Sequence, residues 1–126
     1  MCDGHGINGH IVSGQIKEKI LDIFQNFLKE EPEKIGFCLH NCMIELQRDL
    51  ERNNKYDVSL SGTTCSLIYL SGNSLYTSNL GDSRSILIRF DGSSKGDLIK
   101  VRQLTDDHKP EVPKEKQRII KCGGQV

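Results

Sequence analysis

The residues best suited to chemistry stand at the start of the chain, in the segment Asp3-Gly4-His5-Gly6. A carboxylate at a strand end can bind or bridge divalent cations, and a glycine lets its own backbone carbonyl approach a metal. An adjacent histidine can donate a proton near neutral pH. Together these groups suit hydrolysis of a phosphate ester at a two-metal site with a metal-activated water. The same four residues also fit a plain Asp-Gly turn before a helix, with an incidental histidine.

A second interpretation takes Gly4-His5-Gly6-Ile7-Asn8-Gly9 as the G-x-G-x-x-G loop of a dinucleotide-binding enzyme. That motif needs an apolar strand directly before the loop and a parallel strand after the following helix. Only Met1-Cys2-Asp3 precedes the loop, and the next periodic segment is again helical. A nucleotide-dependent enzyme is therefore the weaker alternative.

Two amphipathic helices are expected to follow the glycine-rich start. Apolar residues recur every three to four positions across residues 12–27 and again across residues 35–50. Asn8 is the expected N-cap of the first helix, Glu30-Glu31-Pro32 interrupts the pattern, and the second helix should end near Arg52. Helices joined by so short a connection are expected to pack antiparallel.

From Tyr56 onward the sequence contains runs of β-branched and aromatic residues separated by turn residues. Strands are expected at residues 63–70, 74–80, 85–90 and 98–104, with a polar loop at 91–96. Their short connections predict a four-stranded antiparallel meander. Pro113 should open a last short helix that ends near Cys122, with Gly123 as its C′ residue. The fold class is α+β, with helices packed on one face of an antiparallel sheet.

Charge and hydropathy exclude several function classes. The chain has 126 residues, with 17 basic and 17 acidic side chains, so its formal net charge of zero predicts no nucleic acid and no anionic membrane as partner. No apolar run approaches the roughly 20 residues that span a bilayer, and no secretory signal is recognisable at Met1. We expect a cytoplasmic or nuclear protein.

The five cysteines are expected to be reduced, because their number is odd and no secretory signal accompanies them. Cys38 and Cys42 lie four residues apart, on one face of the second predicted helix. They can be read as a metal-binding pair or as small buried residues, and the second interpretation is favoured because free cysteine behaves as a small hydrophobe.

Four segments, taken in order, resemble the metal-dependent protein phosphatases of the type 2C (PPM) family. They are Asp3-Gly4-His5-Gly6 with Asn8-Gly9-His10 behind it, Ser61-Gly62-Thr63-Thr64, Asn79-Leu80-Gly81-Asp82-Ser83-Arg84, and Leu104-Thr105-Asp106-Asp107-His108-Lys109-Pro110. Glu115, Arg118-Ile119 and Gly123-Gly124-Gln125-Val126 continue the pattern to the end of the chain. Each segment alone is weak, but their order and spacing together are specific.

The resemblance implies a β-sandwich of two antiparallel sheets flanked by antiparallel helices, of which this chain supplies a part. It implies a protein serine/threonine phosphatase that acts on phosphorylated proteins. In that family a water held between two Mg²⁺ or Mn²⁺ ions attacks the phosphate directly, and some members bind a third metal ion.

Residue roles carry over by position. Asp3 is similar to the carboxylate that bridges the two metals, and Gly4 to the residue that gives one of them a backbone carbonyl. His5 resembles the general acid that protonates the leaving serine or threonine oxygen. Asp107 is similar to the aspartate that helps hold the third metal, with Asp106 as its nearest competitor. The other motif residues are expected to be structural, His108 as a loop anchor.

Parts of the family pattern have no counterpart in residues 1–126, which therefore look like a partial catalytic domain without the N-terminal strands and the C-terminal part. The phosphate-gripping arginine, the acidic pair before the first motif and the later aspartates are absent. We expect this chain alone to have no appreciable phosphatase activity and to leave an apolar sheet face uncovered. The alternative is a short non-catalytic product that acts as a binding or decoy module.

Overall fold

The computed structural model describes residues 1–52, 56–91 and 98–126, which form helices and antiparallel strand pairs. The helices are α1 (Gly9–Glu30), α2 (Ile35–Arg52) and α3 (Pro113–Lys121). The strands are β1 (Gly4–His5), β2 (Gly62–Thr63), β3 (Cys65–Ser71), β4 (Ser74–Leu80), β5 (Ile86–Asp91) and β6 (Leu98–Gln103). The α+β class is thereby confirmed. The expected polar loop at 91–96 lies outside the described residues from position 92 onward.

Helices α1 and α2 form the antiparallel pair that their short connection predicts. The Cys38 thiol lies 3.4 Å from the Phe27 carbonyl oxygen, whereas the Cys42 thiol, one turn later, lies 3.7 Å from that of Ile20. A later residue of α2 therefore contacts an earlier residue of α1, as expected for antiparallel helices. Between the helices and β3 lies the core, made of Ile16, Phe24, Cys38, Leu39, Cys42, Met43, Leu46 and Cys65.

The start of α1 agrees with the prediction in position but not in its capping bond. Asn8 directly precedes Gly9, yet its side chain does not bond to the first turn of the helix. Its Nδ2 instead donates to the carbonyl oxygen of Asp57 at 2.7 Å. The side chain that was expected to cap α1 therefore ties it to the segment before β2.

The expected four-stranded meander is wrong. Among the described residues the strands pair as β1–β2, β3–β4 and β5–β6, each an antiparallel two-stranded sheet. After β4 the chain turns back along the start of β3, where Ser83 and Ser85 meet Thr64 and Ser66 through their hydroxyls at 2.7 and 2.9 Å. The segment before β5 thus contacts the start of β3 through side chains, and the expected backbone ladder between β4 and β5 is not formed among the described residues.

Helix α3 begins at Pro113 and ends in the glycine cap that the sequence predicts. Gly123 has φ +84°, and its N–H donates to the carbonyl of Ile120 at 3.0 Å. The N–H of Gly124 reaches the carbonyl of Ile119 at 2.9 Å, which completes a Schellman motif.

The two longer strand pairs leave much apolar surface in water. Side chains at least 47% exposed include Ile68, Leu70, Ile86, Ile88, Phe90, Ile99 and Val101. An uncovered apolar sheet face was expected from the sequence. Within the described part of the chain, no helix has the length and apolarity needed to cross a membrane.

Candidate functional site

The first four residues lie along the strand that carries β2 and the start of β3. Met1 and Ser66 exchange two hydrogen bonds, of 2.7 and 2.9 Å, and the N–H of Thr64 donates to the carbonyl of Asp3 at 2.9 Å. In an antiparallel pair, hydrogen-bonded positions alternate with positions that make no bond across the pair. Gly4, opposite Thr63, is therefore at a non-bonded position and directs its carbonyl away from β2.

Gly4 has room for no side chain. A Cβ at this position would overlap the carbonyl oxygen of Gly9, the first residue of α1, and would lie 3.0 Å from the hydroxyl of Ser13. The backbone next to Asp3 is consequently packed against the start of α1. Glycine is needed here for the close approach itself.

His5 is exposed and lies over Gly62 of the neighbouring strand. A Cβ built at Gly62 would be 2.8 Å from the Nε2 atom of His5, so the imidazole occupies the space that a side chain would fill. The second motif segment therefore makes room for the histidine of the first. An accessible imidazole beside Asp3 is suited to proton transfer.

Thr64 links the first motif segment to the third. Its Oγ1 accepts a hydrogen bond from the N–H of Asp3 at 3.0 Å and shares a second one with the hydroxyl of Ser83 at 2.7 Å. Thr64 is 8% exposed, so this polar contact is made out of water. The backbone of the proposed metal ligand is held by a residue 61 positions away.

The third and fourth segments are joined by three hydrogen bonds. The N–H of His108 donates to the carbonyl of Gly81 at 3.0 Å, and the N–H of Gly81 donates to Nδ1 of His108 at 3.4 Å. The side-chain amide of Asn79 donates to the carbonyls of Gly81 and Asp106, both at 3.1 Å. The expected role of His108 as a loop anchor is confirmed.

Asp107 is bound by a guanidinium. Arg84 donates to its two oxygens through Nε at 2.9 Å and Nη2 at 2.8 Å, while the Lys109 ammonium lies 3.7 Å away. The hydrogen bonds from Arg84 hold the pKa of the Asp107 carboxyl below its usual value. The side chain of Asp107 is only 12% exposed. Asp107 is thus an ionised carboxylate with a cation already in place.

Asp3 differs from Asp107 in this respect. In the three described ranges, the Asp3 carboxylate makes no hydrogen bond or ion pair, and it is exposed to solvent. Those ranges also contain no group of three Cys, His, Asp or Glu side chains placed to hold one metal ion. At this end of the chain a hard cation therefore meets the unengaged carboxylate of Asp3 and the adjacent Gly4 carbonyl, the ligand types that Mg²⁺ and Mn²⁺ prefer.

The dinucleotide-binding interpretation is not supported by the geometry. β1, which contains the first two residues of the glycine-rich segment, pairs antiparallel with β2, and α1 is followed by α2 instead of by a strand. A strand–helix–strand unit with parallel strands is what that loop requires. The match of the letters is therefore coincidental.

Cys38 and Cys42 are core residues, as favoured from the sequence. Both are fully buried, and their thiols lie against backbone carbonyls of α1 and its C-terminal end. Burial raises the pKa of both thiols, that of Cys42 to about 11. A buried, protonated thiol surrounded by apolar residues is a poor metal ligand.

Sequence reasoning identified the segments but missed the residues that join them. Thr64, Asn79 and Ser83 are small polar residues inside motif segments, and their bonds cross 19 to 61 positions of chain. The only sequence signal that could have identified them is that they lie within those segments. The pairing of Arg84 with Asp107 likewise has no local signature.

Comparison with known proteins agrees with this arrangement. The family model "Protein phosphatase 2C" matches residues 1–126. Over 98% of its length the chain is 36% identical to "Probable protein phosphatase 2C 61" and 37% identical to "Probable protein phosphatase 2C 73", both from Arabidopsis thaliana, and it spans 38% of each. It is 35% identical to "Protein phosphatase 2C homolog 2" of Hypocrea jecorina, of which it spans 26%. No solved structure matched. The chain belongs to the protein phosphatase 2C family.

Proposed function

We propose that these residues form part of the catalytic site of a metal-dependent phosphatase that hydrolyses phosphoserine and phosphothreonine in proteins. Family membership supports the phosphatase activity. The observation that carries the proposal is the unengaged carboxylate of Asp3 beside the exposed imidazole of His5. Both belong to a segment that is hydrogen-bonded to a second motif segment and, through Thr64, to a third.

Asp3 and Gly4 are the proposed metal ligands. The Asp3 carboxylate would bridge two Mg²⁺ or Mn²⁺ ions, and the Gly4 carbonyl, which the strand register turns away from β2, would bind one of them. When bound, the metals would supply a water activated for attack on the phosphate ester. Thr64 binds both backbone polar groups of Asp3: its N–H donates to the Asp3 carbonyl, and its Oγ1 accepts from the Asp3 N–H.

His5 is the proposed general acid for the leaving serine or threonine oxygen. Its imidazole is exposed, follows the metal-binding carboxylate by two residues and has Gly62 in place of a larger neighbour. General acid catalysis by a positioned histidine contributes about 10²–10⁴-fold to a rate. Gly62 therefore acts by leaving the space that the imidazole occupies.

Asp107 is the proposed ligand of a third metal ion, and Arg84 sets the condition for it. Both oxygens of Asp107 accept hydrogen bonds from the guanidinium. A metal ion at Asp107 must therefore share the carboxylate with Arg84 or displace it, and a weak third site follows from this competition.

We further propose that residues 1–126 alone do not turn over substrate. Two divalent ions held close together repel each other, and a Mg²⁺ site needs one or two carboxylates plus phosphate oxygens. Asp3 alone cannot supply this for two ions. The further carboxylates would have to come from residues outside 1–126 or from another molecule.

The test uses Mn²⁺-dependent hydrolysis of a phosphothreonine peptide by three proteins. They are the 126-residue chain, the Arabidopsis relative "Probable protein phosphatase 2C 61", and a chimera in which residues 1–126 replace the matching segment of that relative. We expect no turnover by the chain and turnover by the chimera. In the chimera, Asp3→Asn should lower the rate by more than about 100-fold, since even outer-shell changes cost 10–100-fold.

The exposed Asp22 on α1 provides the matched control, because Asp22→Asn makes the same chemical change outside the site. A folded chimera that is inactive while the relative is active would contradict the proposal and favour a non-catalytic binding module. Equal loss of activity in Asp3→Asn and Asp22→Asn would contradict the role of Asp3.

A further inference from the structure

Two cysteines outside the proposed chemistry face each other where the N-terminal segment meets β3. The sulfur atoms of Cys2 and Cys65 are 3.9 Å apart, and both thiols are free. Neither residue has a role in metal binding or proton transfer in the function proposed above. Their contact joins residues 63 positions apart in the sequence.

The strand register makes this contact a consequence of the backbone. Met1 is bonded to Ser66 and Asp3 to Thr64, so Cys2 lies directly opposite Cys65 at a non-hydrogen-bonded position. The Cα atoms of such a pair are about 4.5 Å apart and their side chains point to the same face. That separation lies within the roughly 4.4–6.8 Å range that disulfides span.

The two thiols differ in access to solvent. Cys65 is 5% exposed and belongs to the core, whereas Cys2 is half-buried and packs against the edge of that core. A soluble oxidant therefore reaches Cys2 first. The thiol best placed to react next is Cys65, because its sulfur is in contact with that of Cys2, whereas the thiols of Cys38 and Cys42 lie against backbone carbonyl oxygens of α1.

We propose that Cys2 and Cys65 are a peroxide-sensitive pair that forms a disulfide and so cross-links the strand carrying Asp3 to β3. Hydrogen peroxide oxidises the Cys2 sulfur to a sulfenic acid and is itself reduced to water. The Cys65 sulfur then attacks the Cys2 sulfur, the S–O bond breaks, and the departing hydroxide leaves as a second water with the Cys65 proton. Two thiols and one peroxide thus give one disulfide and two waters. A thiol reductant reverses the step by exchange.

This proposal does not depend on phosphatase activity, because the cross-link needs only the strand pairing. Its consequence for the site is mechanical. Cys2 precedes Asp3, and successive side chains of a strand point to opposite faces, so the disulfide would form on the core side while the Asp3 carboxylate stays on the solvent side. Oxidation would fix the strand beneath the carboxylate without adding a group next to it.

The test is peptide mapping of the native chain after treatment with a small molar excess of hydrogen peroxide. The Cys122→Ser background removes the exposed thiol directly after α3, so four of the five cysteines remain. We expect the mass to fall by two hydrogens, two thiols to stay open to alkylation after unfolding, and one linked peptide pair that contains Cys2 and Cys65. A reducing agent should restore all four thiols.

Two variants separate the proposed order of events from general oxidation. In Cys2→Ser, Cys65 should stay reduced, because the oxidant has no access to it. In Cys65→Ala, Cys2 should stop at a sulfenic acid that dimedone traps. Circular dichroism shows whether each variant keeps the native fold, and the Cys2→Ser result decides alone if Cys65→Ala does not.

Other outcomes would overturn the proposal. Oxidation of Cys65 at the native rate in Cys2→Ser would show that the pair does not act as a unit. A linked peptide of Cys42 and Cys65, the same mixture of pairings in native and urea-unfolded chain, or hyperoxidation of Cys2 without a link would each refute the assigned pairing.

Discussion

The turn at Gly81 offers a perturbation whose cost follows from the geometry. Gly81 has φ +91°, and a Cβ there would lie 2.7 Å from Cγ2 and 3.0 Å from Cβ of Thr64. Gly81→Ala therefore combines a backbone penalty of about 1–2 kcal/mol with an overpacking penalty of about 1–3 kcal/mol. We expect the free energy of unfolding to fall by roughly 2–5 kcal/mol.

Gly123 separates the two penalties. It has a similar φ of +84°, but a Cβ at Gly123 would meet no atom within 4 Å. Gly123→Ala should therefore cost only the backbone part, about 1–2 kcal/mol. The difference between the two variants isolates the collision with Thr64.

A second change at Thr64 tests which atom causes the collision. Thr64→Ser removes Cγ2 and keeps the hydroxyl that bonds to Asp3 and Ser83. Urea unfolding of both single variants and of the double variant gives a double-mutant cycle. We expect a favourable coupling of about 1 kcal/mol or more, within the range for residues in contact. Equal costs for Gly81→Ala and Gly123→Ala, or no coupling with Thr64→Ser, would refute the reasoning.

Three further changes test the ion pair, the buried thiol and the core. Arg84→Ala should raise the pKa of the Asp107 carboxyl toward its ordinary value of 3.8, which a carbon-detected NMR titration measures. Burial raises the pKa of Cys42 from 9.0 to about 11, so the stability that its protonated thiol contributes is complete below pH 9 and is lost as the pH rises through 11. The free energy of unfolding, measured in urea, should therefore fall by about 2–3 kcal/mol more in the native chain than in Cys42→Ala, in which the raised pKa values of Cys38 and Cys65 still give a smaller loss. Leu46→Ala, at a side chain 3% exposed, should cost about 2–5 kcal/mol in urea unfolding, whereas Leu21→Ala, at one 60% exposed, should change stability by less than about 0.5 kcal/mol.

The elements that the sequence predicted well are those governed by local spacing. The apolar period placed α1 and α2 within a few residues of Gly9–Glu30 and Ile35–Arg52, and Gly123 marked the end of α3. Each of these depends on residues at most four or five positions apart. Hydrogen bonding along a helix links such near neighbours directly.

The pairing of strands was not predictable in the same way. A meander was the economical arrangement for strands with short connections, but β5 follows a segment that lies against β3. Among the described residues β4 and β5 do not pair, and the chain before β5 instead makes hydroxyl contacts with residues 19 positions earlier. No local sequence pattern predicts contacts over that separation.

In the candidate site, too, features within short segments were predictable and contacts between distant residues were not. Asp3, Gly4, His5 and Asp107 were recognised through resemblance of short segments, and their roles stay predictions. What the chain does with Asp107 was not predictable, because the bonds from Arg84 join positions 23 apart. The sequence of a motif does not show whether its carboxylate will bind a metal ion or pair with a guanidinium.

The way in which the motif segments are joined also determines which part of the site should open most readily in the native state. Asp3 belongs to a segment paired with β2, whereas Asp107 follows β6, and among the described residues no backbone ladder connects these two sheets. The connection runs through the hydroxyls of Thr64 and Ser83 and through the bonds between Gly81 and His108. Each such bond contributes only about 0.5–1.5 kcal/mol. The distance between the Asp3 and Asp107 carboxylates therefore depends on individually weak hydrogen bonds, whereas the strands within each pair are held together by backbone ladders. Amide exchange should be faster at His108, whose N–H bonds to Gly81, than within β3, and the reverse order would show that the loop is held by contacts stronger than these hydrogen bonds.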